Sequence, residues 1–122
     1  MARYLAMQGN VLAEVTAWRS QLRKGSLELA VLCLLRKERR YGLELVELLN
    51  QAHLGISEGT IYPLLSRLRT EKKVLTEWVD DGVGHAHKYY RLTPAGLAAC
   101  KAMTSAWREY TLAFGRLIGE DA

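Results

Sequence analysis

Long apolar runs are missing from this 122-residue sequence. No stretch approaches the roughly 18 residues a helix needs to cross a bilayer. The N-terminal segment reaches Gln8 and Asn10 after only a few apolar residues, so it lacks the apolar core and cleavage site of a secretory leader. The expectation is a cytoplasmic protein with no membrane partner. Cysteine and histidine are also scarce. Cys33 lies inside LELAVLCLL and Cys100 inside a later helical pattern, without the close paired spacing of a disulfide framework or a zinc site, and both read as buried packing residues. His53, His85 and His87 are the only histidines, and His85-x-His87 with no nearby cysteine or carboxylate triad makes a poor zinc site. No metal or cofactor is expected. There is no nucleophile motif and no phosphate-cradling glycine loop, which argues against an enzyme.

What is present suits one globular domain: 49% hydrophobic and 25% charged residues, an ordinary balance for a folded chain. The length allows a core, yet is short enough to gain from a partner subunit. A net charge of +4 is compatible with a polyanionic partner, and by itself says little more.

The order of the elements carries the information. Val11, Leu12, Val15, Trp18 and Leu22 recur at steps of three and four, so residues 8–23 read as an amphipathic helix that Lys24 and Gly25 end. Ser26 is an N-cap candidate for a second helix, whose nearly continuous apolar residues from Leu27 to Leu35 imply burial on most sides. The charged run Arg36 to Arg40 interrupts the pattern. A third helix over 41–52 turns Leu45, Val46, Leu48 and Leu49 inward, and Leu54-Gly55 makes a short turn. A fourth helix over 57–72 places Ile61, Leu64, Leu65 and Leu68 on one stripe. Gly59, Pro63, Ser66 and Thr70 lie opposite, with Thr60, Tyr62 and Arg67 on the flanks.

Two helices joined by a short turn, the second with small outward residues, form a helix-turn-helix. The next segments sharpen that reading. Residues 74–79 are β-branched and aromatic, Asp80-Asp81-Gly82 supplies a turn, and 87–92 resumes a strand. A hairpin in this place is the wing of a winged helix-turn-helix, and His85, His87 and Lys88 are its candidate basic residues. Thr93 then caps a last helix with Pro94 at its first position.

Cys100, Met103, Trp107, Tyr110, Phe114 and Leu117 alternate steps of three and four along that helix, the spacing of a helix packed lengthwise on another. Such a stripe can fold back on its own core. With the core already supplied by two other helices, a two-fold dimer interface with Val11, Val15, Trp18 and Leu22 explains it better. The expected fold is mainly α with a small β-hairpin. Residues 1–25 form an N-terminal dimer-associated helix, 26–93 a winged helix-turn-helix, and 94–122 a C-terminal dimerisation helix.

LRKGSLELAVLCLL, the Tyr41-Gly42 pair, GTIYPLLSRL from Gly59 to Leu68 and KYYRLTPAG from Lys88 to Gly96 resemble the PadR family of transcriptional regulators in order and spacing, over about residues 22–118. The single short C-terminal helix matches the compact subfamily. The resemblance implies a homodimer that binds duplex DNA at an inverted-repeat operator as a repressor and is released by a small aromatic or drug-like ligand. It also implies that Trp107 and its dimer mate sandwich a planar compound, beside Met103 and Tyr110. Two residues depart from the family pattern. Lys72-Lys73 stands where a glycine usually ends the recognition helix, so the path into the wing is expected to differ. His87 stands where an arginine is usual, so phosphate attraction there is expected to be weaker.

Ser57, Thr60, Pro63, Ser66 and Arg67 are the groove-facing candidates, because arginine reads guanine and short hydroxyl side chains approach base edges. Tyr41 and Tyr62 are candidate phosphate donors, Tyr41 at a helix N-terminus. His87, Lys88 and the Arg36 to Arg40 run offer phosphate contacts. Each of these residues is also compatible with plain solvated surface or core. The alternative function is a winged-helix protein-association module that binds no operator. A redox sensor built on Cys33 or Cys100 is disfavoured, because an apolar setting makes a thiol inert.

Overall fold

The structure is a computed structural model that describes residues 2–80 and 82–119, with side chains described from residue 8 onward. Asp81 of the expected turn, and residues 1 and 120–122 of the expected terminal segments, lie outside the described residues. Seven elements follow in order: α1 (Ala2–Lys37), β1 (Arg40–Tyr41), α2 (Gly42–Gln51), α3 (Glu58–Thr70), β2 (Val74–Asp80), β3 (Ala86–Leu92) and α4 (Pro94–Ile118). The strands form one antiparallel sheet in the order β1-β3-β2. The fold is the expected winged helix-turn-helix, with one strand more than the hairpin alone. No helix among the described residues is long and apolar enough to cross a membrane.

The expected break at Lys24-Gly25 is absent. α1 runs unbroken for 36 residues, about 54 Å at 1.5 Å per residue. Ser26, the candidate N-cap, sits inside the helix and donates its hydroxyl back to the Leu22 carbonyl at 2.7 Å. One mid-helix glycine costs about 1 kcal/mol, too little to break a helix whose second half is held by the core. That second half supplies Val31, Leu32 and Leu35 to a cluster completed by Leu45 and Leu49 of α2, Ile61, Leu65 and Leu68 of α3, Val74, Tyr90 and Cys100. Val31, Leu32, Leu45, Ile61, Leu65, Leu68 and Cys100 are fully buried. Each such aliphatic side chain contributes roughly 1.5–3 kcal/mol.

Both helices of the helix-turn-helix end in the same way. In α2, the Leu54 N–H donates to the Leu49 carbonyl and the His53 N–H to Asn50. In α3, Lys73 donates to Leu68 and Lys72 to Arg69. This is the Schellman arrangement, which needs a left-handed residue just past the helix. His53 and Lys72, both at φ 61°, occupy that position. The path into the wing is therefore the one a glycine would give, against the expectation drawn from Lys72. Between the helices, the Asn50 amide acts as a clasp: its Oδ1 accepts from the Ile56 N–H at 2.9 Å and its Nδ2 donates to the Ile56 carbonyl at 3.2 Å.

The wing is anchored where it meets α4. Thr93 caps α4 by accepting from the Gly96 N–H at 3.0 Å, and donates its own hydroxyl to the Lys72 carbonyl at 2.6 Å. Its N–H donates to the Lys73 carbonyl. Gly96 is dictated by this close approach, since a Cβ there would stand 2.0 Å from the Lys73 carbonyl oxygen.

Lys72→Gly removes left-handed strain without touching a contact and is expected to stabilise the domain by about 0.5–1 kcal/mol in urea unfolding. Unchanged or lowered stability would count against the Schellman assignment.

Candidate nucleic-acid interface

The inner stripe of α3 is packed as its spacing requires, with Ile61, Leu65 and Leu68 buried and Leu64 partly so. Ser57, Gly59, Thr60, Tyr62, Pro63, Ser66, Arg67, Arg69 and Thr70 are all exposed. Ser57 holds the N-cap position, and its hydroxyl lies 3.3 Å from that of Thr60 instead of capping a backbone N–H. Pro63 removes the N–H that would otherwise bond the Gly59 carbonyl. The small outer face is thus real surface.

That face meets the wing across a cleft of about 450 Å³ lined by Tyr41, Gly42, Tyr62, Ser66, Trp78, His87, Lys88 and Tyr90. The structure brings Tyr41, Tyr62, Ser66, His87 and Lys88 together as one surface. Tyr62 is held by the start of α2, where Gly42 leaves room for it. A Cβ on Gly42 would stand 2.5 Å from the Tyr62 ring and 2.7 Å from its hydroxyl.

Tyr41 is more a strut than a free donor. It pairs with Tyr89 across β1 and β3, stacks on the His87 ring at 4.4 Å and 17°, and meets Tyr89 edge-on at 5.4 Å. Burial first, then the carboxylates of Glu44 and Glu47 and the neighbouring Tyr89, hold its phenol above the ordinary value. It stays a protonated donor, and the same two carboxylates weaken the pull of the α2 N-terminus on an anion. Half-buried Lys88 lies 5.8 Å from the Tyr90 ring centre, opposite Trp78 on β2.

Arg67 departs from its expected role. Its guanidinium bonds Glu28 of α1 and, at 2.9 Å, Glu71. Lys73 completes the network, 3.4 Å from Glu28 and 3.2 Å from Glu71. The hydrogen bonds it donates to Glu28 and then Glu71 raise the Arg67 pKa further. Arg67 therefore ties α3 to α1 and does not point a free guanidinium outward. Glu28 lies 39 residues away in the chain, so no helical spacing could reveal it. The Arg36 to Arg40 run is divided likewise: Arg39 bonds Glu77 at 2.8 Å, and Arg40 sits near Glu38 and Glu44. Only Arg36 and Lys37 of its cations stay clear of an ion pair among the described residues.

Sequence reasoning passed over Arg69, which is exposed and without a carboxylate partner among the described residues. It is close enough to bear on the Tyr90 phenol, which puts it on the wing side of α3. Its place one turn after Ser66 and two turns after Tyr62 was the available signal. Arg23 and Lys24 were missed as well. They line a smaller cleft of about 270 Å³ with Thr60 at the start of α3.

Away from this surface, Val11, Trp18, Leu22, Trp107, Tyr110, Phe114 and Leu117 are exposed, Leu117 by 82%. Val15 and Met103 are partly buried. Trp18, Leu22, Trp107, Tyr110, Phe114 and Ile118 line a groove of about 640 Å³ between α1 and α4. Cys100 does not belong with them. It is fully buried within the subunit and packs on Cys33 of α1, which removes it from the expected interface.

The family model for the transcriptional regulator PadR-like family matches residues 31–102. The crystal structure of a PadR family transcriptional regulator from Eggerthella lenta is similar at 32% identity and a TM-score of 0.80, over 91% of this chain and 97% of that one. A PadR-like transcriptional regulator from Bacillus cereus is similar at 33% identity and a TM-score of 0.75, over 82% of this chain and 99% of that one. Bacillus subtilis PadR in complex with operator DNA is 25% identical with a TM-score of 0.59, over 64% of this chain and 45% of that one.

Gly42→Ala is expected to displace the Tyr62 ring and to lower affinity for duplex DNA, measured by fluorescence anisotropy, while helix content by circular dichroism is kept. Undiminished DNA affinity with a displaced ring would remove Tyr62 from the interface.

Proposed function

The chain belongs to the PadR-like family of transcriptional regulators, whose members are not enzymes, and from that premise we propose that it acts as a two-fold dimer repressing at an inverted-repeat operator until a planar aromatic compound releases it. The observation that carries the DNA reading is the shared cleft: Tyr62 and Ser66 of α3 and the wing residues Lys88 and His87 open onto one surface, so a groove and its flanking phosphates can be engaged together. Thr60, Pro63 and Ser66 face the base edges. Arg69 takes the place first given to Arg67, with Lys88 and Tyr62 on phosphates.

The dimer reading rests on the exposed aromatic and aliphatic residues at the outer ends of α1 and α4, a contiguous apolar patch that is unusual on a monomer. Pairing across it buries Trp18, Leu22, Tyr110, Phe114 and Leu117. The effector reading rests on the groove within the same patch, whose Trp18, Trp107 and Tyr110 offer flat faces to a planar ligand. Such a ligand must favour the arrangement that cannot bind DNA, because equal affinity for both arrangements shifts nothing.

The test is selection of bound DNA from a random pool, followed by titration of operator and scrambled duplex over a range of salt. Operator is expected to bind more tightly than scrambled duplex. Arg69→Ala is expected to narrow that gap by about 1–3 kcal/mol if it reads a base, and Lys88→Ala to weaken both duplexes and reduce the salt slope by about 1. Equal retention of the two duplexes by the wild type would contradict the operator reading, and retention of neither would leave only a protein-association module.

Changing Tyr110 and Phe114 to Asp is expected to yield monomers in sedimentation and to abolish operator binding. A wild-type monomer at micromolar concentration would contradict the dimer. Trp107→Ala is expected to remove both ligand quenching of tryptophan emission and ligand release of DNA, with Trp18 and Trp78 variants as controls.

A further inference from the structure

The two cysteines stand 67 residues apart in sequence, yet their sulfurs lie 3.9 Å apart where α1 crosses α4. Both are free thiols, Cys100 buried and Cys33 partly open to solvent. Bonded sulfurs in a disulfide stand about 2.05 Å apart, so the two sulfurs must close by about 2 Å for the bond to form. The pair also has a telling position along the contact. Leu29, one turn before Cys33, and Met103, one turn after Cys100, line a cleft that continues outward to Trp107 and Tyr110. The thiols therefore sit at the inner end of the same α1–α4 contact whose outer end is the aromatic groove.

We propose that Cys33 and Cys100 form a redox-reactive dithiol that a hydroperoxide closes to an intramolecular disulfide, drawing α4 onto α1 and changing the shape of the aromatic groove. Cys33, the more open thiol, meets the oxidant first. Its sulfur attacks the outer oxygen of the hydroperoxide, the O–O bond breaks, and an alcohol leaves with the Cys33 proton. The Cys100 sulfur then attacks the resulting sulfenic sulfur, the S–O bond breaks, and water leaves with the Cys100 proton. The two thiols together lose two protons and two electrons, and the hydroperoxide becomes an alcohol and water, or two waters where it is hydrogen peroxide. Burial above all, then the adjoining Cys33, pushes the Cys100 thiol up and keeps it from reacting first; its part is the second step, because its sulfur is buried from solvent oxidants and lies 3.9 Å from that of Cys33. An inert pair of packing cysteines, the expectation from sequence, did not take into account that the fold makes them neighbours.

The consequence for DNA rests on the operator reading above, whereas the chemistry does not. Treating the whole protein with hydrogen peroxide and mapping its peptides without reductant is expected to give a Cys33–Cys100 link, reversed by dithiothreitol. Tryptophan emission is expected to change with the link, and operator affinity to change about tenfold, within the usual range of coupling between sites. Cys33→Ser and Cys100→Ala proteins, treated in the same way, are expected to keep the emission and affinity of the reduced wild type. Thiols that stay reduced, that over-oxidise without linking, or that link between subunits would overturn the proposal. So would a linked protein with unaltered emission. If the reduced protein holds no duplex at all, the operator reading falls, and the dithiol is still judged by its link and its emission.

Discussion

The unbroken length of α1 is the constraint from which the other features follow. Its second half is the central rod of the core, packed on α2, α4 and β3. Its first half leaves Val11, Leu12, Trp18 and Leu22 in water. Because Gly25 does not break the helix, these two halves cannot turn independently. Glu28 on the same rod holds Arg67 of α3. The element that carries the exposed aromatic face is therefore also tied to α3, through the Glu28–Arg67 ion pair.

Charge is distributed by the same logic. Arg39, Arg40, Arg67 and Lys73 are engaged by carboxylates of this chain, where they join the wing to the end of α1 and α3 to its middle. Isolated surface pairs contribute little, but the Glu28 network links α1, α3 and the turn that follows α3. Arg69, Lys88, Arg23 and Lys24 remain around α3 and the wing, on the side where the helix presents small residues. A net charge of +4 is therefore a poor guide, and the location of the cations without a carboxylate partner among the described residues a better one.

Much of the fold was legible because periodicity reports burial. The Ile61, Leu65 and Leu68 stripe, the Thr93-Pro94 cap and the hairpin after α3 all stand where spacing and turn chemistry place them. The misreadings share one cause, which is that local signals do not see distant partners. Lys24-Gly25-Ser26 reads as a stop and a cap, but core packing on the following residues outweighs one glycine. Lys72 reads as a departure from a glycine cap, yet the Schellman hydrogen bonds and the Thr93 contact hold it left-handed. Arg67 reads as a groove residue because its partner Glu28 lies on another helix. Cys100 fits the stripe of α4, and only the packing of α4 on α1 shows that its turn is the first one inside the core.

The central claim is that α1 and α4 join two subunits so that two α3 helices present themselves to successive turns of one DNA face. The most direct measurement is the distance between spin labels placed at position 66 of each subunit, in a protein whose Cys33 and Cys100 have been replaced by Ser and Ala. A two-fold dimer that reads adjacent major grooves predicts one narrow distribution near 34–36 Å, about one helical turn of DNA, allowing for the label arms. The absence of any intersubunit distance, or a separation unaffected by disrupting Tyr110 and Phe114, would contradict it.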